Sequence, residues 1–365
     1  MPTLRRRDLL RYITAAASAA ALSPVFHARA HYPTYPVPPE PGVAGDAEVW
    51  VLMGRAIHTV AFYEEASANS ARVDSVSRDQ SFVITGEVHA PFSAHNDLWY
   101  QTPLGYVHSA WVLPVRVYAP QPFISDIGDW GFWGEVSQIY TDARSQPSLG
   151  AGIVYRFYGG TVYHVVESFL DEAGTGWYKV FDEFPPTSPR YQWVLARDMR
   201  RIPRREMSPI HPFVGNKRLE VNLAEQRLTC FEGDQVVFTT LVAAGLGQAE
   251  GDPMTDLATH RGETAVLLKQ PSRHMSNIPY KEGMVAPGDI FDLPGIPWNT
   301  FFHLSGTAIH GTYWHNDFGI RRSHGCLNVS SEAARWIYRW VHPIGGYEDD
   351  FISSDGRVGT PIIIY

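Results

Sequence analysis

The sequence predicts a mainly β protein of two or three domains. The chain has 365 residues, which is longer than most single domains. Aromatic residues make up 13% of the chain, and 27 Pro with 31 Gly favour many short strands and turns over long helices. Short apolar runs alternate with turn residues over most of the chain, and one helix is predicted late, after Ser330.

Charge and cysteine content narrow the functional class. The formal charge is −8, but residues 1–30 hold five Arg and one Asp, so the remainder carries 25 basic and 37 acidic residues, a net charge of −12. An acidic chain without a basic run is a poor partner for nucleic acid. The two cysteines, Cys230 and Cys326, are too few for a disulfide framework, so the fold must depend on its apolar cores.

Residues 1–30 have the order of an export signal. Arg5-Arg6-Arg7 come first, an Ala-rich apolar run follows, and Ala28-Arg29-Ala30 fits the small-x-small pattern of a cleavage site. Arg6-Arg7-Asp8-Leu9-Leu10-Arg11 resembles the twin-arginine signal, and an ordinary secretory signal is the alternative. Both predict a protein outside the cytoplasm, and the apolar run is too short for a stable transmembrane anchor.

Two β-rich stretches follow the export signal. Residues 31–49 form a Pro-rich spacer of extended chain, and residues 50–120 then alternate apolar runs with turns. Residues 131–202 repeat the order of the first stretch, in which an aromatic strand precedes a second strand ending in Val. This order resembles tandem bacterial SH3-like modules of small β-barrels, and generic β-barrels serving as a spacer are the alternative. Residues 203–216, with three prolines, are predicted as a linker.

Residues 217–365 are predicted to form a separate, mostly β domain. Lys217–Gly245 has the alternation and turns of a three-stranded meander. Ser330 is a suitable N-cap for a helix that runs to about Val341. The closing Pro361–Tyr365 is too apolar to be anything but a buried strand.

One polar segment carries the chemistry. Cys326 lies beside Gly325 and two residues after His324, and His310 lies further back. A thiol becomes a useful nucleophile once an imidazole takes its proton, so these residues are the minimum equipment for acyl transfer through a thioester. Gly325 allows close backbone approach, and the N–H groups around Cys326 could face an oxyanion.

Other interpretations of these residues remain open at the level of sequence. Cys230 lies on an apolar strand and is predicted to be a buried small side chain. A zinc site could use the thiol of Cys326 with His310, His315 and His324, but no Cys-x-x-Cys or His-Glu-x-x-His spacing supports it.

The pair His310-Gly311 and the run Ser323-His324-Gly325-Cys326-Leu327-Asn328 resemble the signature of the YkuD family, the L,D-transpeptidase catalytic domain. The resemblance extends over residues 217–365 and implies a β-sandwich with a late helix. Two departures are visible. His260 stands where the family usually has proline, and Pro271–Pro297 is predicted as a long loop with Tyr280 and Trp298 as substrate contacts.

The resemblance also implies a reaction on peptidoglycan stem peptides. Cys326 would attack a tetrapeptide donor, with His310 as base and then acid, and D-alanine would leave. The side-chain amine of a diamino acid on a second stem would then accept the acyl group in a 3–3 cross-link, in support of cell-wall biogenesis and cell shape. No metal or organic cofactor is implied.

Supporting roles are implied for the residues around this pair. The resemblance gives His324 an organising role. Gly325 and Gly311, with Ser323 and Asn328, would support the oxyanion and the loop. Arg322 could pair with a substrate carboxylate, although a solvated surface arginine is the simpler interpretation.

Three alternative functions remain. Water could take the acyl group, which gives an L,D-carboxypeptidase, or a lipoprotein lysine could be the acceptor. The third is a non-catalytic protein that binds the cell wall through its β-modules. A pure binding protein has no need of both His310 and Cys326, which disfavours the third alternative.

Overall fold

The structure is a computed structural model that describes residues 50–93, 95–183, 191–248, 256–277, 291–354 and 359–365. The predicted signal peptide and spacer (residues 1–49) lie outside the described residues, as does Tyr280. None of the helices in the described part of the chain is long and apolar enough to cross a membrane.

The first β-module has eight strands in two sheets, with orders β4-β1-β8 and β3-β2-β7-β6-β5. The strands are β1 (Trp50–Ala56), β2 (Val60–Tyr63), β3 (Arg72–Val76), β4 (Ser81–Val83), β5 (Gly86–His89), β6 (Leu98–Thr102), β7 (Gly105–His108) and β8 (Val112–Tyr118). Gly54 lets β1 approach its neighbours, because a Cβ there would meet the Phe82 ring at 2.5 Å and the Val112 side chain at 2.7 Å. The SH3-like identity of this module stays a prediction.

The second β-module is one seven-stranded sheet with the order β11-β10-β14-β13-β12-β9-β15. Its strands are β9 (Phe132–Val136), β10 (Tyr140–Arg144), β11 (Ile153–Tyr158), β12 (Val162–Leu170), β13 (Gly176–Phe181), β14 (Tyr191–Leu195) and β15 (Met199–Arg201). Three consecutive strands of this sheet, β12, β13 and β14, are rich in aromatic residues. They pair antiparallel in that order and bury Tyr163, Trp177 and Val194.

The predicted linker, residues 203–216, is packed against the C-terminal domain. Met207 is buried, and the N–H of Ile210 donates to the carbonyl of Arg339 at 3.0 Å. The Arg335 guanidinium also reaches the carboxylate of Glu206. The second module is therefore attached along the helix of the C-terminal domain rather than through a free tether.

The described part of the C-terminal domain has two five-stranded sheets, with orders β18-β17-β16-β27-β21 and β25-β24-β23-β22-β26, and a two-stranded sheet of β19 and β20. Its elements are β16 (Lys217–Asn222), β17 (Arg227–Glu232), β18 (Gln235–Leu241), β19 (Gly247–Gln248), β20 (Asp256–Leu257), β21 (Gly262–Ala265), β22 (Leu268–Ser276), β23 (Asp292–Phe301), β24 (Ala308–Gly311), β25 (Leu327–Val329), α1 (Ser331–Trp340), β26 (Ile352–Ser353) and β27 (Pro361–Ile364). The mainly β fold with a late helix is confirmed.

Sequence alternation explains the first sheet. Leu219 and Val221 of β16 are fully buried, and β16 lies parallel to the closing strand β27 with Leu219 opposite Ile362. The meander β16-β17-β18 and the buried last strand are both as predicted. Because β27 lies between β16 and β21, the end of the chain completes the sheet.

The predicted loop at Pro271–Pro297 is wrong at both ends. Leu268–Ser276 and Asp292–Phe301 form the paired strands β22 and β23. Proline suggested a loop because it cannot donate to a strand ladder. Here Pro297 lies opposite Ser272, and the register shifts between Arg273 and Met275, so the pairing continues around the prolines.

Helix α1 begins where the sequence predicts. The Ser330 hydroxyl accepts a hydrogen bond from the N–H of Ala333, as an N-cap does. At the other end two buried lysines donate to carbonyls of the last turn: Lys217 to Trp340 O at 2.7 Å, and Lys269 to Tyr338 O at 2.9 Å. Both ends of α1, which packs against β23 and β24, are therefore fixed.

Candidate active site

Two neighbouring strands bring the predicted nucleophile and base to one place. Strands β24 and β25 pair in parallel, with Ile309 opposite Leu327. Cys326 therefore enters the sheet beside Ala308, whose backbone hydrogen bonds the thiol. The thiol is half-buried, and burial raises its pKa from 9.0 to about 11 despite that hydrogen bond. The thiol is therefore protonated at neutral pH.

The ring of His310 is held in one tautomer. Its Nδ1 lies 3.0 Å from the carbonyl oxygen of Gly311, which can only accept, so Nδ1 carries the proton and Nε2 keeps its lone pair. His310 is only 2% exposed. Burial lowers its pKa from 6.5 to about 4, so the ring is neutral at pH 7 and can accept a proton through Nε2.

The loop before Cys326 is closed by side chains. The Ser323 hydroxyl donates to the carbonyl of Cys326 and accepts from the N–H of Gly325 at 3.2 Å. Gly325 has φ +119°, a conformation that favours glycine. Thr259 Oγ1 donates to the carbonyl of Gly325 at 2.8 Å and accepts from the N–H of Gly245 at 2.9 Å. The loop is thus anchored to the strand region that follows β18.

Gly311 is needed for close packing behind the base. A Cβ at this position would meet Pro297 Cγ and Ser331 Cα at 2.9 Å each. Any side chain would push β24 away from β23 or α1. The smallness of Gly311 therefore keeps its carbonyl where His310 Nδ1 reaches it.

Asn328 lies behind Cys326 and contacts a second buried histidine. Its amide nitrogen is placed 3.0 Å from His315 Nε2, and its Oδ1 is buried without a hydrogen-bond partner. His315 Nδ1 already accepts from the N–H of Asp317 at 3.3 Å, so a neutral ring must carry its proton on Nε2. We therefore assign the amide of Asn328 the opposite orientation, with Oδ1 accepting from His315 Nε2–H.

Burial lowers the pKa of His315 to about 4, the charge of Arg322 acts in the same direction, and the carboxylate of Asp317 opposes both. His315 is therefore neutral at pH 7, as this assignment of the Asn328 amide requires. The network Asp317–His315–Asn328 ends two residues from Cys326.

The remaining predicted site residues lie in different surroundings. His324 is exposed, with its ring 5.4 Å from the ring of Phe291. The Arg322 guanidinium donates to the buried carboxylate of Asp317, with Nε at 3.0 Å from Oδ2. The prediction for Trp298 is wrong. This residue is 3% exposed and packs against Tyr338 of α1, because its place in the long strand β23 turns the ring into the core.

Metal binding gains no support from the geometry. No group of three or more His, Cys, Asp or Glu side chains is placed to hold a metal ion in the ranges that the structure describes. Cys230 is fully buried in the core, and burial raises its pKa well above the usual value. Cys326 is therefore the thiol that a reagent or substrate reaches.

Sequence reasoning missed three supporting residues. The sequence did not point to Thr259, and it indicated His315 only as an alternative zinc ligand. Trp314 was not singled out, although its ring lies 5.8 Å from that of His310. The one available signal was the density of polar and aromatic residues between His310 and Ser323.

Residues 216–364 match the model of the YkuD family, described as the L,D-transpeptidase catalytic domain. This part of the chain is a YkuD domain. The family is a cysteine-dependent enzyme class, and the matched residues contain both Cys326 and His310. No protein with a curated description matches the chain.

Solved L,D-transpeptidase structures are similar to this chain at low identity. A mutant L,D-transpeptidase from Enterococcus faecium is 18% identical, over 42% of this chain and 52% of its own, with a TM-score of 0.29. An L,D-transpeptidase from Xylanimonas cellulosilytica is 25% identical, over 46% and 64%, with a TM-score of 0.27. One from Mycobacterium smegmatis is 18% identical, over 62% and 99%, with a TM-score of 0.31. The chain thus spans about half to two thirds of the first two structures.

Proposed function

We propose that this protein is an exported peptidoglycan L,D-transpeptidase that forms 3–3 cross-links through a thioester on Cys326. The observation that carries the proposal is the fixed tautomer of His310. Its Nδ1 donates to the carbonyl of Gly311, which leaves Nε2 as a base on the strand beside Cys326. The match of residues 216–364 to the YkuD model supports the reaction class, and the predicted export signal supports the location.

The first half-reaction acylates the enzyme. The sulfur of Cys326 attacks the carbonyl carbon between the third and fourth residues of a tetrapeptide stem, and His310 Nε2 takes the thiol proton. The C–N bond then breaks, His310 returns the proton to the leaving nitrogen, and D-alanine departs. The stem remains as a thioester on Cys326.

The second half-reaction transfers the stem. The side-chain amine of a diamino acid on a neighbouring stem attacks the thioester carbonyl, and His310 takes the proton that the amine loses. The C–S bond breaks and the sulfur of Cys326 recovers a proton from His310. The product is an amide between two third-position residues, and the enzyme returns to its starting state.

The protonation states fit a concerted proton transfer. The pKa of Cys326 is raised to about 11 and that of His310 is lowered to about 4, so the resting pair is thiol and neutral imidazole. A thiolate–imidazolium pair formed in advance is disfavoured by the same burial. Proton transfer to Nε2 therefore accompanies the attack of the sulfur on the carbonyl.

The oxyanion donor is assigned to the backbone N–H of Cys326. The N–H of Gly325 donates to the Ser323 hydroxyl, so it is engaged within the loop. A donor of this kind is worth about 3 kcal/mol of transition-state stabilisation. The bonds from Ser323 and Thr259 hold the donor in place before the substrate arrives.

The proposal is tested by incubating the chain from His31 onward with purified tetrapeptide muropeptides, followed by mass spectrometry of the products. A cross-linked dimer that lacks one D-alanine, absent with Cys326→Ala, is the expected result. Tripeptide without dimer would assign an L,D-carboxypeptidase. Unchanged muropeptides, with wall binding retained by a folded protein, would favour the non-catalytic alternative.

A further inference from the structure

The segment between the base and the nucleophile is held from outside the YkuD domain. Residues 312–322, called the 312–322 segment here, lead from β24 to the loop before Cys326. They contain His315, whose ring meets Asn328. Four of the polar groups that fix this segment, on Arg55, His95, Tyr100 and Ser109, belong to the first β-module, residues 50–118.

A buried arginine makes the deepest of these contacts. Arg55 of β1 is 3% exposed, and its Nη2 donates to the carbonyl of Tyr313. Asp79 holds the same guanidinium through Oδ1 at 2.6 Å. The guanidinium also lies 4.1 Å from the centre of the Tyr158 ring, which stacks on Tyr313. All three parts of the chain therefore meet at the start of the 312–322 segment.

Two further contacts fix the middle of the segment. The side-chain amide of Asn316 donates to Tyr100 OH at 3.2 Å and to the carbonyl of Ser109 at 3.3 Å. His95 Nε2 lies 3.1 Å from Oδ1 of Asp317, a carboxylate that also binds Arg322. His315 is thus followed directly by two residues whose side chains bond to the first module.

The position of the 312–322 segment affects the surroundings of Cys326. Asp317 presents its N–H to His315 Nδ1, which leaves the proton on Nε2 and aims it at Asn328. Asn328 lies opposite His310 in the β24–β25 pair and two residues after Cys326. A shift of the segment would change the hydrogen bond of His315 and, through Asn328, the spacing of base and nucleophile.

We propose that the first β-module is a working part of the active site, and that Arg55, Asn316 and His315 are positioning residues that set the geometry of Cys326 and His310. Arg55 and the partners of Asn316 hold the segment, and His315 transmits its position to Asn328. The inference rests on the proposed function for its turnover readout only, because the reactivity of Cys326 is measured separately.

The first experiment compares three variants of the full chain: Asn316→Ala, Arg55→Met and the control Arg116→Ala. Arg116 also joins the first module to the YkuD domain, through an exposed ion pair with Glu332 of α1, but it does not touch the segment. Turnover of tetrapeptide muropeptides and the rate of Cys326 alkylation by iodoacetamide are measured. Cys230 is fully buried and does not contribute to the alkylation.

The expected result separates the two kinds of contact. Asn316→Ala and Arg55→Met lower kcat at least about tenfold with little change in KM, and both change the alkylation rate. Arg116→Ala stays within about twofold in both readouts, as exposed ion pairs contribute little. If Asn316→Ala behaves like Arg116→Ala in both readouts, the proposal is overturned, whatever becomes of the more buried Arg55 variant.

The two proposals fail in different ways. An altered alkylation rate in Asn316→Ala, together with no turnover by any form of the protein, would support the positioning role and reject the transpeptidase. Full turnover by every variant, at an unchanged alkylation rate, would support the transpeptidase and reject the positioning role.

The second experiment addresses His315. Nitrogen NMR of histidine-labelled protein at pH 7 should show a neutral ring with its proton on Nε2. His315→Gln keeps a donor for Asn328 and should retain more kcat than His315→Ala. A proton on Nδ1, or equal activity of the two variants, would contradict the proposed network.

Discussion

Two buried histidines of the YkuD domain, His310 and His274, have opposite protonation because their partners differ. His274 lies between two carboxylates, with Nδ1 at 2.8 Å from Asp182 and Nε2 at 2.8 Å from Asp292. Burial alone would lower its pKa, but hydrogen bonds and charge from both carboxylates raise it to about 9. His310 has a carbonyl as its partner, and burial lowers its pKa to about 4.

Under the proposed mechanism, the difference separates a charge that stabilises the fold from a base that takes part in the reaction. The imidazolium of His274 joins Asp182, which follows β13 of the second module, to Asp292 at the start of β23. A ring that is charged and donates from both nitrogens cannot accept a proton. The neutral ring of His310 keeps a lone pair on Nε2, as the proposed acyl-transfer base requires.

Exchanging each histidine for glutamine should separate the two roles most clearly. His310→Gln removes the base and should lower kcat by about 10³-fold or more, within the range for general bases, while the protein stays folded. His274→Gln should keep kcat within about tenfold but unfold at lower denaturant concentration. Muropeptide turnover and urea unfolding are measured on both. Equal loss of kcat in the two variants would contradict the separation of roles.

The two histidines should contribute to the pH dependence of stability with opposite signs. The folded pKa of His274, about 9, lies above the usual 6.5, so its stabilisation is complete below pH 6.5 and is lost as the pH rises through 9. The folded pKa of His310, about 4, lies below 6.5, so stability falls as the pH drops from 6.5 toward 4.

Each contribution corresponds to about 3 kcal/mol in the free energy of unfolding, since one pKa unit is worth about 1.4 kcal/mol. Burial also lowers the pKa of His315 to about 4 and that of Lys269 to about 7, so each contribution is measured as the difference between a variant and the unaltered protein. In urea unfolding between pH 4 and 10, the cost of His274→Gln should shrink as the pH rises from 6.5 through 9, and His310→Gln should lose less stability than the unaltered protein as the pH falls from 6.5 toward 4. A cost of His274→Gln that stays constant up to pH 10 would contradict the charge assigned to His274.

Removing one carboxylate should make the pKa of His274 more like that of His310. Asp182→Asn removes the carboxylate charge that faces His274 Nδ1. This change should lower the pKa of His274 below its present value of about 9. The expected loss of stability at pH 6 is about 2 kcal/mol, because a buried charge loses one of its partners. Histidine NMR titration and urea unfolding measure the two effects. A pKa that stays near 9 would mean that Asp292 alone suffices.

The smallest predicted effect concerns the loop that presents Cys326. Thr259→Val keeps the shape of the side chain but leaves the carbonyl of Gly325 and the N–H of Gly245 without their partner. The expected cost is about 1–2 kcal/mol of stability, with a parallel fall in kcat. The control is Thr229→Val on β17, far along the chain from Cys326. If both variants keep full activity, Thr259 has no role in presenting the thiol.

Local patterns in the sequence predicted much of the fold. The alternation of Leu219 and Val221 identified β16, the Ser330 cap identified the start of α1, and the apolar end identified β27. Prolines misled the prediction at Pro271–Pro297, because a proline opposite a residue that needs no donor is compatible with a strand.

The site was only half predictable for a different reason. His310 and Cys326 carry chemical demands that a sequence displays directly. The role of Thr259 depends on Gly325, 66 residues away, and that of Asn316 depends on Tyr100, 216 residues away. Such pairings appear only when strands from distant parts of the chain are placed side by side.

The proposed mechanism requires that a stem peptide acylates Cys326 with the help of the neutral His310. Intact-protein mass spectrometry after brief mixing with a tetrapeptide donor, without an acceptor, measures this directly. We expect one added tripeptide acyl group, located on the peptide that contains Cys326, absent in Cys326→Ala and much slower to form in His310→Gln. An unmodified Cys326 under conditions where the donor is consumed, or an adduct elsewhere in the chain, would contradict the account.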